Sequence, residues 1–591
     1  MMLYIRILIL LAVFMGYTAL LNYKYHIRVE FAPAIISCVI SVLMLFAGIL
    51  NVFIPAVRLI TVGGLVSFAY TVIKQKWPTK FTIRREYIIA FMWILILGYF
   101  AVLIRGSHFI HYDNFSHWAI IIKTMLINNR MPNFQDSLVM FQAYPLGSSL
   151  FIYYVCKIIG DTDACYIFGQ IVLLVSFIFP LSSFVSKKNW SAGVIISAFS
   201  VYALISNISI YDLLVDTVMP LAGLSLFCII KFESNSLDEN RVNRLIFEIM
   251  PISIFLLQVK NSGVFFCLIC WVYFFIRFKS FEIRNRRKII VLLKFAFYDI
   301  VLPLVTTYLW KKHVQLVFGS GDTFKHAISL KNYKNIFGEK TPENIIDIGK
   351  KMIVKLTDIH NESFAPMLAT TILVIVLIVL NWLIKEKRQA ITHVKNLLAV
   401  YVIIATYVIS VYLMYIFSMP LGEAVDLAGY ERYMLTLDIF IFGMAIVFVL
   451  SDKAANNNLM VIMFFIISIL PIWPIKNSIV SLVKRQDYSI TTRGQLQKLL
   501  KDNGVAAEKS YLIYTNGNNG SPGYIYYLAR FELWSNNVTT TASDDLNNYS
   551  DSWDSYDYII MFTPDEFSNA WLEKNGFSDY ANTEKTVISL Q

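Results

Sequence analysis

Along most of the chain the apolar positions come in runs of spanning length, separated by short polar connections. Such runs lie near 3–21, 32–53, 54–73, 87–104, 164–185, 191–210, 217–231, 244–258, 262–277, 289–310, 366–384, 396–417, 433–450 and 458–476. About 20 apolar residues in a helix cross a hydrocarbon core of ~30 Å, so each run is predicted to be a transmembrane helix. The pattern changes twice. Between 105 and 163 it breaks into a polar loop, a mixed stretch at 114–129 and a short apolar stretch at 146–159, and from about Tyr488 it turns soluble.

The mixed stretch interleaves Phe115, Trp118, Ile121, Ile122, Met125 and Leu126 with Ser116, Lys123, Thr124 and Asn128, which predicts a helix along the membrane surface. After the break at Tyr144-Pro145, the 146–159 stretch is short for a crossing and fits a tilted or re-entrant helix. In the tail, TTRGQLQKLLKDNG reads as a capped helix ending at Gly504. SYLIYT, YDYIIMFT and KTVISL read as strands, with GYIYYLARFEL and PDEFSNAWLEKNG as helices between them. This alternation predicts a small α/β domain. Its GNNGSPG run at Gly517–Gly523 lacks the Lys-Ser/Thr end of a phosphate-binding P-loop.

Composition fixes the class. With 57% hydrophobic and 15% charged residues among 591, the chain is expected to be a polytopic α-helical membrane protein of about 14 transmembrane helices over 1–484. A soluble α/β domain follows over 485–591. Lysine and arginine collect in alternate connections: Lys24 and Arg28, Lys74–Arg85, Lys187 and Lys188, Arg277–Lys288, and Lys385–Lys395. The positive-inside rule makes these cytoplasmic. Both termini, the 105–163 and 311–366 loops, the 418–432 loop and the tail then lie outside, in a cell membrane. The net charge of +11 therefore reports orientation, and no nucleic-acid partner is inferred from it. All six cysteines fall in apolar runs and imply no disulfide framework, and the Cys267-Cys270 spacing inside a span reads as packing. The first apolar run reads as a retained anchor, since no cleavage site with a soluble mature region follows it.

Candidate chemistry gathers where the apolar pattern breaks. RGSHFIHYDNFSHW, Arg105–Trp118, places Arg105, His108, His111, Asp113 and His117 just beyond an apolar run. Ionisable groups at a bilayer edge are costly unless solvated or paired. Asp113 is either a functional carboxylate or the N-cap of the following helix. In ISIYDLLVDTVMP, Asp212 and Asp216 stand four apart and share a face if the segment is helical, as ligands for a cation or sugar hydroxyls or as a solvated helix start. Lys260 is the cation of the short LLQVKNSG turn, open to a lipid phosphate or to interfacial snorkelling. The 311–366 loop carries many lysines, Gly319, Gly321 and Asp322 near its start, and a helix around 342–357. It reads as a substrate-binding element or a solvated face. In GEAVDLAGYERYM, Arg432 suits bidentate phosphate binding or an ion pair with Glu431 or Asp426.

The order of these features resembles the GT-C superfamily of membrane glycosyltransferases. The shared elements are an acid in a large outer loop (Asp113), a juxtamembrane helix, and the YP segment at Tyr144 leading to a short apolar helix. The glycine-acidic turn GDTDA, a span ending at Lys187 and Lys188, and Arg432-Tyr433 opening a late span complete the set. The chain departs from the family pattern in having three further spans before the acidic loop. The resemblance implies an extracytoplasmic enzyme that takes a sugar from a polyprenyl-phosphate carrier. It implies Asp113 as catalytic carboxylate and Arg432 on the carrier phosphate.

On that reading Arg105, Lys260 and Arg432 would face the departing phosphate. Tyr144, Asp212 and Asp216 would join the substrate-binding set. His108, His111 and His117 could orient sugar hydroxyls or, with Asp113, hold a divalent metal, although their spacing is no recognised metal motif. The partners expected are the polyprenyl-phosphate-linked sugar, a glycan or lipid-linked acceptor, and membrane lipid. The tail would pack over the outer cavity or recognise the acceptor. The alternative function is a transporter or flippase, or a polymerase or ligase, of lipid-linked saccharides. A transporter calls for paired inverted repeats, which the chain does not display.

Overall fold

The computed structural model describes residues 2–74, 85–185, 190–234, 238–283, 285–319, 330–583 and 585–590. The first four helices follow the first four apolar runs: α1 (Met2–Tyr25), α2 (Ala32–Ile49), α3 (Phe53–Lys74) and α4 (Arg85–Leu103). Glycine lets two of them touch. A Cβ on Gly16 of α1 would sit 2.0 Å from the Gly64 carbonyl oxygen of α3, a small-residue contact of the kind that joins helices in lipid.

Past α4 a π-helical turn at Asn114–Trp118 feeds α5 (Ala119–Asn128), and α6 (Gly147–Ile159) and α7 (Asp163–Ile178) follow. The expected surface helix is a correction: Asn114 through Ile122 are buried, not spread on lipid. α6 packs against one side of this segment. The next helices are α8 (Gly193–Ile205), α9 (Val218–Glu233), α10 (Glu239–Val259), α11 (Gly263–Phe278), α12 (Asn285–Phe295) and α13 (Leu302–Phe318). The segment between α8 and α9 is not helical, so Asp212 and Asp216 do not share a helix face.

Much of the expected 311–366 loop is helix. α13 continues to Phe318, and α14 (Leu330–Gly338) and α15 (Pro342–Thr357) follow. Two of its lysines reach across to the 418–432 loop: Lys340 donates to the Met419 carbonyl (2.6 Å) and Lys351 to the Val425 carbonyl (3.0 Å). Gly321 and Asp322 lie outside the described residues, as do Lys187, Lys188 and most of the 74–85 connection.

The membrane part closes with α16 (Phe364–Leu383), α17 (Lys387–Phe417), the short α18 (Leu421–Val425), α19 (Tyr430–Ser451) and α20 (Asn458–Ile469). Among the described residues ten helices are long and apolar enough to cross a membrane, or eleven if one pair bent by 94° counts as a span. This agrees with a multi-pass membrane protein. α9 has an acid near each end and separates two charged layers. At its C-terminus, Glu233 pairs with Arg244 (3.3 Å), while Arg28 and Arg85 converge on buried Glu30 (2.8 and 2.9 Å). Before its N-terminus stands Asp216.

The tail begins with α21 (Thr492–Asp502), β1 (Tyr511–Thr515), α22 (Pro522–Leu533), β2 (Val538–Thr541), β3 (Tyr558–Thr563), α23 (Glu566–Lys574) and β4 (Thr586–Ser589). The sheet order is β2-β1-β3-β4, parallel except for the antiparallel edge strand β4. Leu512, Ile559 and Ile588 fill one side with Trp571 and Leu572 of α23, which the apolar faces of these segments require.

Candidate functional site

The loop after α4 is held open by its neighbours. Gly106, at φ +68°, turns the chain away from the helix in a conformation that a side chain would resist. Asp212 then clasps the loop: its Oδ1 accepts from the backbone N–H groups of Ile110 (3.3 Å) and His111 (3.1 Å) and from Asn114 Nδ2 (2.8 Å). Asn114 returns the contact by accepting from the Leu213 N–H (3.0 Å). Burial pushes the Asp212 carboxyl above its usual range, against the hydrogen bonds it accepts. Asp212 thus holds the loop through Oδ1.

Asp113 is at the tip of this clasped loop. It stands at the N-cap position of the Asn114–Trp118 turn, but its side chain makes no capping hydrogen bond. Its amide donates to His111 Nδ1 (3.1 Å), and its Oδ2 accepts from Arg432 Nη1 (2.6 Å). Arg432 Nε lies 3.8 Å from Asp216 Oδ2, and Asp216 Oδ1 accepts from Lys260 Nζ (3.2 Å). The result is an alternating row, Asp113, Arg432, Asp216, Lys260, drawn from four separate segments. Asp113, Arg432 and Lys260 are partly exposed, at 25%, 27% and 23% of the side chain, and Asp216 between the two cations is buried at 4%.

Each position in the row has a local cause. Gly429, at φ +74°, starts α19 and aims Arg432 at the loop. Thr436, one turn on, donates to the Asp216 carbonyl (3.1 Å), and Asn207 donates to the Arg432 carbonyl (3.1 Å). Lys260 ends α10. Burial alone would raise the Asp216 carboxyl, but Lys260 and Arg432 hold it below the usual carboxylate range. Burial alone would lower the Lys260 ammonium, but Asp216 lifts it above the lysine range. The Tyr433 ring lies beneath both cations, at 5.6 Å from Lys260 and 5.8 Å from Arg432. The alternative reading of Arg432, an ion pair with Glu431 or Asp426, is not what forms: Glu431 pairs with Lys355, and Arg432 is held by Asp113 and Asp216.

The remaining residues singled out from the sequence divide. Tyr144 belongs with the row: burial raises its hydroxyl, and Lys260, Asp113 and Arg432 all act on it electrostatically. His117 is 3% exposed and packs edge-on against Trp118, Phe141 and Tyr144, at 4.3, 5.7 and 4.7 Å between ring centres. His108 points elsewhere, pairing with Asp163 (2.7 Å) and stacking on Tyr488 (3.9 Å). Arg105 is exposed, and its carbonyl accepts from Arg485. Among the described residues no three His, Cys, Asp or Glu side chains gather as a metal site.

One residue escaped the sequence reading. Arg493 is 2% exposed and joins the tail to the loop: it pairs with Asp163 (2.8 Å) and Glu532 (2.6 Å) and donates to the Phe109 carbonyl (2.7 Å). The one hint was electrostatic, because an arginine in the first turn of α21 opposes the helix dipole and so answers something outside the helix. No protein-family model, no curated protein and no solved structure matches this chain.

Proposed function

We propose that this chain is an integral membrane glycosyltransferase of the GT-C kind. It would cross the membrane about 14 times and move a sugar from a polyprenyl-phosphate carrier to a cell-surface glycan or lipid-linked acceptor on the extracytoplasmic side, where the tail also lies. The observation that supports this reading is the row Asp113, Arg432, Asp216, Lys260, which sets a base candidate beside two partly exposed cations around one buried carboxylate.

A carboxylate locked to an arginine at 2.6 Å is a poor base. The carrier phosphate, which arginine binds by two parallel hydrogen bonds, would compete for Arg432 and release Asp113. Asp113 then takes the proton of the acceptor hydroxyl. The acceptor oxygen bonds to the anomeric carbon as the bond from that carbon to the phosphate oxygen breaks. Arg432 and Lys260 face the charge that grows on the departing phosphate, while Asp216 keeps both cations in place. The proton gained by Asp113 balances the charge gained by the phosphate.

The test is transfer of radiolabelled sugar by the purified protein from a panel of polyprenyl-phosphate sugars. Asp113→Asn should lower kcat by roughly 10²- to 10⁴-fold, the usual contribution of a positioned base, with the protein still folded. Wild-type turnover in that variant would remove the assignment. Transport is the second reading, favoured by Asp299 and Asp438. Both are fully buried within apolar helices, and their carboxylate oxygens have no close hydrogen-bond partner among the described residues. Uptake of the lipid-linked sugar into vesicles without transfer would establish it instead.

A further inference from the structure

The tail contains a cleft that the transferase reading does not use. Its volume is about 550 Å³, inside the range of small-molecule sites. It opens where β1 and β3 end side by side. The chain leaves β1 through α22 to reach β2 on one flank, and β3 and β4 fill the other. The gap between β1 and β3 is therefore where the strand order reverses, the place at which open α/β sheets bind ligands beyond their carboxyl ends. The two strand ends are tied by Thr515 and Thr563, whose hydroxyls are 3.0 Å apart, and the Asn516 N–H donates to Thr563 Oγ1 (2.8 Å). Gly517 and Gly520, at φ +86° and +133°, curl the next loop around the opening.

The lining states the ligand chemistry. Five asparagines and two threonines face the cleft, groups that both donate and accept and so match alcohols. The described lining contains no carboxylate, and Lys585 is its one cation, already donating to Gln495 Oε1 (2.8 Å) and lying 5.1 Å over the Phe562 ring. The neighbouring helix starts are unsuited to phosphate. Asp565 caps α23 with a carboxylate, and Ser521 Oγ occupies the Tyr524 N–H of α22 (3.3 Å). We propose that the cleft at the carboxyl ends of β1 and β3 binds an uncharged, hydroxyl-rich ligand, a neutral saccharide unit, separately from the site at Asp113.

Saturation-transfer difference NMR on the full-length protein in detergent tests this. The probes are methyl α-glucopyranoside, methyl α-galactopyranoside and N,N′-diacetylchitobiose, with adenosine monophosphate and inorganic phosphate as anionic counterparts. At least one neutral sugar should receive saturation at its ring protons. Asn516→Ala should weaken its Kd by about tenfold, the worth of one well-made hydrogen bond. Asn518→Ala, at the exposed loop tip, should weaken it too without touching the core. Asp113→Asn should bind the sugar as wild type does. Transfer confined to the anionic probes, transfer to no probe, or folded Asn516 and Asn518 variants that bind unchanged would each overturn the proposal. Loss of the signal in Asp113→Asn would overturn it as well, by moving the sugar to the other site, whereas loss of turnover in that variant bears on the transferase reading alone.

Discussion

Asp216 is the pivot of the charged row, because it is the most buried member and touches both cations. Its carboxyl is held below the ordinary value when folded, so its contribution is complete above the ordinary carboxylate range near 3.9 and is lost as the pH falls through the folded value. Lys260 lies above the lysine range, so its contribution is complete below about 10.4 and is lost as the pH rises through its folded value. Asp216→Asn, which leaves Lys260 without its carboxylate and Arg432 with Asp113 alone, should therefore lower stability by about 3 kcal/mol on the plateau between those limits. The difference from wild type should shrink towards both ends. Thermal midpoints of the two proteins from pH 3 to pH 11 would check this, and a difference constant across the series would show that the pair is not coupled as described. The sequence already pointed to Asp113, Asp216, Lys260 and Arg432, since each is a charge at the edge of an apolar run. It could not pair them. Arg432 and Asp113 are brought together by tertiary packing across more than 300 positions, whereas the neighbours that periodicity offered, Glu431 and Asp212, turn to Lys355 and to the loop backbone.

The end of α10 that presents Lys260 depends on how closely α6 approaches it. A Cβ on Gly147, the first residue of α6, would sit 2.6 Å from the Gln258 carbonyl oxygen and 2.9 Å from its carbon, both backbone atoms with no room to yield. On the other side Ser41 of α2 donates to the Gly147 carbonyl (2.7 Å), so α6 cannot simply back away. Gly147→Ala should therefore overpack this junction at a cost of about 1–3 kcal/mol and lower the thermal midpoint. Gly98→Ala on α4, where the new Cβ meets nothing within 4 Å, is the matched control. Equal midpoints for the two variants would refute the tight approach. α6 itself was legible from a short apolar stretch behind Tyr144-Pro145, and most of the tail from alternating strand and helix periods. β2 was not, because its VTTT sequence is short and has no apolar alternation to mark it. α17 was read too short for a related reason: its first turns are charged, and charge marks solvent without marking the end of a helix.

The tail and the membrane part meet on the Asp113 loop, and Arg493 is the centre of that meeting. Its guanidinium packs among Phe109, Phe115 and Phe531, at 4.5, 5.2 and 5.3 Å from the ring centres, while holding Asp163 of α7 and Glu532 of α22. Tyr524 adds a hydrogen bond to the Ile110 carbonyl (2.8 Å) and Lys123 one to the Phe531 carbonyl (2.7 Å). The loop is thus gripped from the membrane side by Asp212 and from the tail side by Arg493, and the position of Asp113 depends on both. Arg493→Ala would leave two carboxylates without their shared cation and should cost about 3–5 kcal/mol at the junction. One face of the sheet has its own core, in which Leu512, Ile559 and Ile588 pack on Trp571 and Leu572, so the loss should be local. In hydrogen exchange, amides of residues 107–114 should lose protection while those of Tyr511, Ile513 and Ile560 keep theirs. Arg493→Lys retains the charge but not the fork that reaches Asp163, Glu532 and the Phe109 carbonyl together, and should fall between the two. Unchanged exchange over 107–114 in the alanine variant would mean that Asp212 alone holds the loop and that the tail merely rests on it. Loss of protection throughout the strands would mean instead that Arg493 serves the folding of the tail.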